Sequence, residues 1–343
     1  MLSDHLGSRL VKNTLKVLIA FVALCILSVA SILTYLFWMP SASVSHENVV
    51  SRIETDDLSI RLRSHVDVLA TEIGERNART DIVKLDEAAN YISDNLAASG
   101  YSVIETTFGE QSFRNVSAEI KGVTTPEEII VLSAHYDTAI RTAGADDDAS
   151  GVAAVLEIAK LLHGHEFDRT IRFILFPNEE KPFGVGELKG SYVSARNSFE
   201  QGENIVAMYS LEMLGYFSDA KDSQSYPYYL RGLFPTQGNF IIFGSNIPSR
   251  SLLHDSIKFF RNQKLFPSEG MALPASLIGR IQGNDAAAYW QFGYPAVLIT
   301  DGGEYRNPNY HRASDLPDSL DYQSMAQITL GIHGILTNLA RKH

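Results

Sequence analysis

The chain has 343 residues, 45% of them hydrophobic, enough for one large domain and one further segment. Its formal net charge is −11, and residues 1–40 carry Arg9, Lys12 and Lys16 against Asp4, so removing that +2 leaves −13 on residues 41–343. An acidic body with no Lys/Arg run excludes a nucleic-acid partner, and a single cysteine, Cys25, excludes both a disulfide framework and a thiolate metal site. Any metal must be held by His, Asp and Glu.

Residues 17–39 contain no charge. A helix of that length covers roughly the 30 Å hydrocarbon core of a bilayer, so the segment reads as a spanning signal-anchor helix. Tyr35 and Trp38 stand near its far end, where amphipathic rings favour the headgroup zone; Arg9, Lys12 and Lys16 mark residues 1–16 as cytoplasmic. That orientation places the body outside the cell (inner) membrane, in a periplasmic or extracellular space. A cleaved signal peptide is the competing reading, since Ser41-Ala42-Ser43 resembles a cleavage site, although the apolar run exceeds an h-region of about 7–15 residues. The lack of a polar face argues against a buried core helix. Residues 40–55 read as a short polar tether and 56–343 as the body.

Amphipathic helices and short β-branched runs alternate along the body, which predicts an α/β layered domain. Helices are expected over 56–77 and 85–98, the second stopped by Gly100, and strands over 101–108 and 116–121 with a hairpin-like connection at Gly109. Four apolar runs follow, at 129–137, 170–180, 205–214 and 295–301. Their near-continuous apolar character predicts buried central strands, covered by helices over 151–162 and 190–199 and closed by a last helix over 322–341. Three of the four runs end in acidic or imidazole residues, and in open α/β sheets ligands bind beyond the carboxyl ends of strands.

Those ends carry the candidate chemistry: AHYD with His135 and Asp137, GADDDASG with Asp146, Asp147 and Asp148, NEE with Glu179 and Glu180, SLEML with Glu212, and YHRASD with His311. Zinc accepts imidazole nitrogen and carboxylate oxygen, and a catalytic site keeps one position open. Five such ligands suffice for two metals if one carboxylate bridges them. Taken singly, each segment has an ordinary reading as a satisfied core histidine, a solvated acidic turn or a surface loop. Their joint occurrence in this order, each at a strand end or strand-to-helix turn, is hard to obtain by accident.

Over roughly residues 56–340 the sequence resembles the family-28 metallopeptidases, co-catalytic di-zinc aminopeptidases whose relatives include glutaminyl cyclases. The likeness rests on AHYDT, GADDDASGVAAVLEIAK, the NEE pair followed by GELKGS, SLEMLGY, and GYPAVLITDGGEYRNPNYHRASDLPDSLDY. The resemblance implies a three-layer αβα domain with a mixed, mostly parallel sheet, of the zinc-exopeptidase or phosphorylase/hydrolase-like kind. It also implies two Zn2+ per chain, with Asp147 bridging, His135 and Glu212 completing one site, and Glu180 and His311 the other. Glu179 would be the general base that activates a metal-bridged hydroxide for attack on a peptide, and Asp137 would orient the imidazole of His135. Tyr310 is a candidate extra donor to the oxyanion, with packing its ordinary alternative. Asp146 and Asp148 are expected to hydrogen-bond the turn or cap the following helix rather than bind metal, and Asp285 has no assigned role.

This sequence departs from the common family pattern at position 212, where Asp is usual and Glu is one methylene longer, and in a longer loop after Glu180. The expected activity is zinc-dependent release of the N-terminal residue of peptides. A glutaminyl cyclase, a carboxypeptidase or dipeptidase, and a non-catalytic binding domain are the alternatives; the complete ligand set argues against the cyclase and the binding domain.

Overall fold

The computed structural model describes residues 2–49, 54–184, 186–275 and 284–342, and the chain forms two units, Met1–Trp38 and Met39–His343. Residues 50–53 of the tether, Val185 in the loop after Glu180, and the side chains of Arg9 and Lys12 lie outside the described part. The first unit is helix α1 (Leu2–Phe37), which begins well before the apolar run because no proline interrupts it and its one early glycine, Gly7, costs only about 1 kcal/mol. Its stretch Asn13–Phe37 has no buried residue and is long and apolar enough to cross a bilayer.

In the second unit, Met39 is buried, Arg261 donates to the carbonyls of Pro40 and Ser41, and Ser43 Oγ accepts from Ser268 N. Next come α2 (Glu54–Asp67), α3 (Ile82–Ala98), β1 (Ile104–Phe108), β2 (Phe113–Ile120), β3 (Thr125–His135) and α4 (Gly151–Leu162). They are followed by β4 (Arg169–Phe176), α5 (Gly190–Glu200), β5 (Asn204–Glu212), β6 (Ile241–Asn246) and α6 (Arg250–Gln263), then β7 (Ser268–Leu273), α7 (Asp285–Gln291), β8 (Ala296–Thr300) and α8 (Tyr322–Ala340). Two expected elements end well short of their apolar patterns. The helix over 56–77 ends at Asp67, passes through a wider turn at Val68–Ile73 and stops at the left-handed Gly74. The strand expected over 170–180 ends at Phe176, because Pro177 has no N–H for the ladder.

The strands form one sheet in the order β1-β2-β4-β3-β5-β8-β6-β7. Its centre, β4-β3-β5-β8, is wholly parallel and consists of the four apolar runs; β2 and β6 join it antiparallel at either side. Alternation along these strands feeds two cores. Ile130, Leu132 and Ala134 of β3, with Ile171, Phe173 and Leu175 of β4, join the larger core with α2, α4, α6 and α8. Ile129 and Val131, with Ile174 and Phe176, face the smaller core with α5 and α7. Because side chains alternate with period two, each central strand is apolar on both faces. The result is a three-layer αβα domain.

Candidate metal centre

Each implied site residue sits at the carboxyl edge of the parallel strands. His135 is the last residue of β3, Glu212 the last of β5, and Glu179-Glu180 follow β4 across Pro177-Asn178. Asp147 lies in the turn before α4, and His311 in the loop between β8 and α8. Asn178, Met213 and His311 have φ of 66°, 55° and 55°. Left-handed backbone is costly for residues with a Cβ, and such outliers persist where surrounding contacts hold them, often at functional sites.

Two groups of potential ligands share one carboxylate: His135, Asp147 and Glu212; and Asp147, Glu180 and His311. His135 Nε2 lies 3.2 Å from Asp147 Oδ1 and 3.5 Å from Glu212 Oε1, while His311 Nε2 lies 3.2 Å from Asp147 Oδ2 and 2.6 Å from Glu180 Oε1. Ligands about 2.0–2.1 Å from a tetrahedral ion stand roughly 3.3 Å from one another, so three of these four spacings suit zinc. His135 Nε2, both oxygens of Asp147 and Glu212 Oε2 are buried without a hydrogen-bond partner. Buried polar atoms are ordinarily satisfied, and an ion at each group would satisfy these. The donor set therefore fits zinc.

A layer of carboxylates fixes the ligands through the backbone. Asp137 Oδ1 lies 3.3 Å from His135 Nδ1 and accepts from Glu179 N at 3.0 Å; its Oδ2 accepts from Glu180 N at 3.0 Å. One side chain thus orients an imidazole and both members of the Glu pair. Asp148 accepts from the N–H groups of His135, Gly151 and Met213, and Asp146 from Gly215 N and Asn307 Nδ2, in keeping with roles outside the ligand set. Asp315 accepts from the backbone of Asp146 and Asp147, and Asp301 from Tyr216 N and Gly303 N. Buried Arg76 donates to the carbonyls of Tyr136, Ala143 and Gly144, bracing the loop that runs from Asp137 to Asp147. The sequence reading missed Asp315, Asp301 and Arg76; ASD after His311 and TD after β8 were the only available signals, and Arg76 had none. Tyr310 stacks on His311 with centroids 3.8 Å apart and lines the adjoining cavity.

Without a cation these groups share protons. Burial opposes charge on His135, but Glu212 with Asp137 and Asp147 lifts its pKa well above the ordinary value; against the same opposition, Asp147 and Glu180 raise His311 to about 10. Burial, reinforced by Asp147, pushes Glu180 up to about 7. Zinc binds the neutral imidazole and the carboxylate, so uptake must expel these protons, and affinity must fall as pH drops. Calorimetric titration of the metal-free protein at pH 7 with zinc, in buffers of different ionisation enthalpy, is expected to show release of about two protons per chain. Uptake independent of the buffer would contradict that charge state.

Beside the metal-ligand groups lies a cavity of about 200 Å³. Its lining includes the apolar side chains of Leu230, Ile242, Met271, Leu273 and Leu298 and the carboxylates of Glu179, Glu212 and Glu304. Among the described residues, that lining contains no Lys, Arg or His.

The family model for Peptidase family M28 matches residues 115–336. The protein of Escherichia coli (strain K12) named "Uncharacterized protein YfbL" is 31% identical over 336 residues, covering 94% of this chain and 99% of that protein. Aminopeptidase YwaD of Bacillus subtilis (strain 168) is 30% identical over 159 residues, 45% of this chain, which spans 33% of that relative's length. Among solved structures, the LapA aminopeptidase of Legionella pneumophila matches with a TM-score of 0.67 at 20% identity, covering 88% of this chain and 77% of that one. A glutaminyl cyclase of Bacteroides thetaiotaomicron matches with a TM-score of 0.61 at 19% identity, covering 84% and 99%. At these identities the two structures speak for the fold alone.

Proposed function

Because the chain belongs to peptidase family M28, a family of zinc metallopeptidases, we propose that it is an aminopeptidase holding two zinc ions and removing the N-terminal residue of peptides. His135, Asp147 and Glu212 would hold one ion, Asp147, Glu180 and His311 the other. Bound there, zinc supplies Lewis acidity that polarises a carbonyl and acidifies water. Glu179, which belongs to neither ligand group, takes the proton from water and passes it to the leaving amine. Asp137 keeps that carboxylate and His135 in place, and Tyr310 offers its hydroxyl toward the developing oxyanion.

The observation that carries the choice of terminus is the cavity lining, where, beside Glu212 of the first ligand group and Glu179, which faces Lys189, a further carboxylate, Glu304, stands and no cation is found among the described lining residues. A substrate ammonium is attracted to such a wall, whereas a C-terminal carboxylate is repelled. The apolar part of the lining suits an apolar side chain on the residue being released. Helix α1 supports a further reading: a single-pass anchor in the cell (inner) membrane, N-terminus cytoplasmic, with the catalytic unit acting outside on peptides and the bilayer touched through that helix.

The test uses the full chain in detergent micelles, loaded with zinc. A leucyl peptide with a free N-terminus is expected to be cleaved at least ~100-fold faster than its N-acetyl form, and amidation of the C-terminus should change little. Indifference to acetylation with loss on amidation would make it a carboxypeptidase. Ammonia from a Gln-initiated peptide, with no free amino acid, would make it a cyclase.

A further inference from the structure

Lys189, at the end of the loop that begins with Glu179, lies inside the protein with its side chain 5% exposed. Its Nζ is 3.2 Å from Glu179 Oε1 and 3.6 Å from Asp285 Oδ1. Asp285, at the start of α7, is fully buried, and neither of its carboxylate oxygens has a hydrogen-bond partner among the described residues; within those residues, the Lys189 ammonium is the cation that stands beside it. Burying a Lys–Asp pair is costly, and removing one partner is costlier still.

The surrounding backbone holds the ammonium where it is. Lys189 immediately precedes α5, whose first residue, Gly190, donates to Pro177 O, while Asn178 Nδ2 donates to Leu188 O. A Cβ at Gly190 would stand 2.5 Å from Asn115 Oδ1 and 2.6 Å from Pro177 Cδ, so only glycine lets the two ends of the loop approach this closely. Residues 177–178 and 188–190 are thereby locked together, and with them Glu179 and Lys189. The Glu179 side chain is mostly buried yet lines the substrate cavity. Its Oε1 faces the ammonium, which leaves Oε2 as the oxygen available to the reacting water.

We propose that Lys189, anchored by Asp285, is a positioning residue that clamps one oxygen of Glu179 and presents the other to the reaction, an inference that rests on Glu179 serving as base. The clamp acts on the rate of the chemical step and leaves metal and substrate binding nearly untouched, since neither Lys189 nor Asp285 belongs to a ligand group. Misplacing a catalytic group by about 1 Å costs on the order of 100-fold. Burial opposes the charge on Lys189, but Glu179 and then Asp285 raise its pKa, so the clamp stays charged across the working pH range.

The test compares the zinc-loaded full chain with Lys189→Met, Lys189→Ala and Asp285→Asn on the leucyl peptide. Lys189→Met is expected to lower kcat by ~10–100-fold while KM changes less than about 3-fold and zinc content stays at the wild-type value. Ethylammonium should restore kcat of Lys189→Ala saturably, which sodium at equal ionic strength should not. Asp285→Asn should lower kcat in the same direction by a smaller factor. A kcat within about 3-fold of wild type in Lys189→Met, an effect confined to KM or zinc content, or no rescue by ethylammonium would overturn the clamp. Glu179→Gln is measured alongside: if it is inactive while Lys189→Met is normal, the clamp alone fails, whereas an active Glu179→Gln removes the reading of the base itself. Should Lys189→Met not fold, Asp285→Asn and the amine rescue decide the matter.

Discussion

Glu179→Gln is expected to lose kcat by ~10²–10⁴-fold while keeping its full zinc content. The two halves of that expectation come from different features. Retention of metal follows from geometry, because Glu179 belongs to neither ligand group and its backbone is held by Asp137, which the substitution leaves alone. Loss of rate follows from chemistry: an amide fills the same space as the carboxylate but has no basic oxygen to accept a proton. Stability should fall slightly as well, since the buried Lys189 would lose one of its two carboxylate partners among the described residues and keep Asp285, 3.6 Å away. Steady-state kinetics with metal analysis on the same preparation checks both halves. Zinc lost together with activity would mark Glu179 as a ligand; a kcat within about 3-fold of wild type would mean that another group takes the proton.

Much of the sheet and the residues that gather in the candidate site could be read from the chain, for a shared physical reason. The four central strands announce themselves because parallel strands buried on both faces must be apolar throughout, and the residues ending them are polar only because they face the ligand site. What escaped the reading was the stretch holding β6, α6, β7 and α7. β6 and β7 are short, and β7, SEGMAL, mixes Glu269 with small residues, so neither gives a clear period. Lys189 and Asp285 escaped for another reason. A lysine just before a helix reads as solvated, and only the close approach forced by Gly190 puts it beside Glu179. Asp315 and Asp301 act on backbone N–H groups far away in sequence, a contact that no local pattern records.

Asp147→Ala is expected to abolish binding of both ions together, not of one. Asp147 is common to the two groups, with Oδ1 toward His135 and Oδ2 toward His311, so its loss reduces each from three protein ligands to two. The remaining pairs, His135 with Glu212 and His311 with Glu180, cannot fill a tetrahedral site on their own. Glu212→Ala is the natural contrast, because it touches only the first group and should leave about one zinc per chain. Metal content after equilibrium dialysis is expected near zero for Asp147→Ala, with kcat/KM down by ~10³-fold or more, equivalent to about 4 kcal/mol of lost transition-state stabilisation. One zinc retained in Asp147→Ala would show that the ions are held independently, and would move the bridging role from Asp147 to another group.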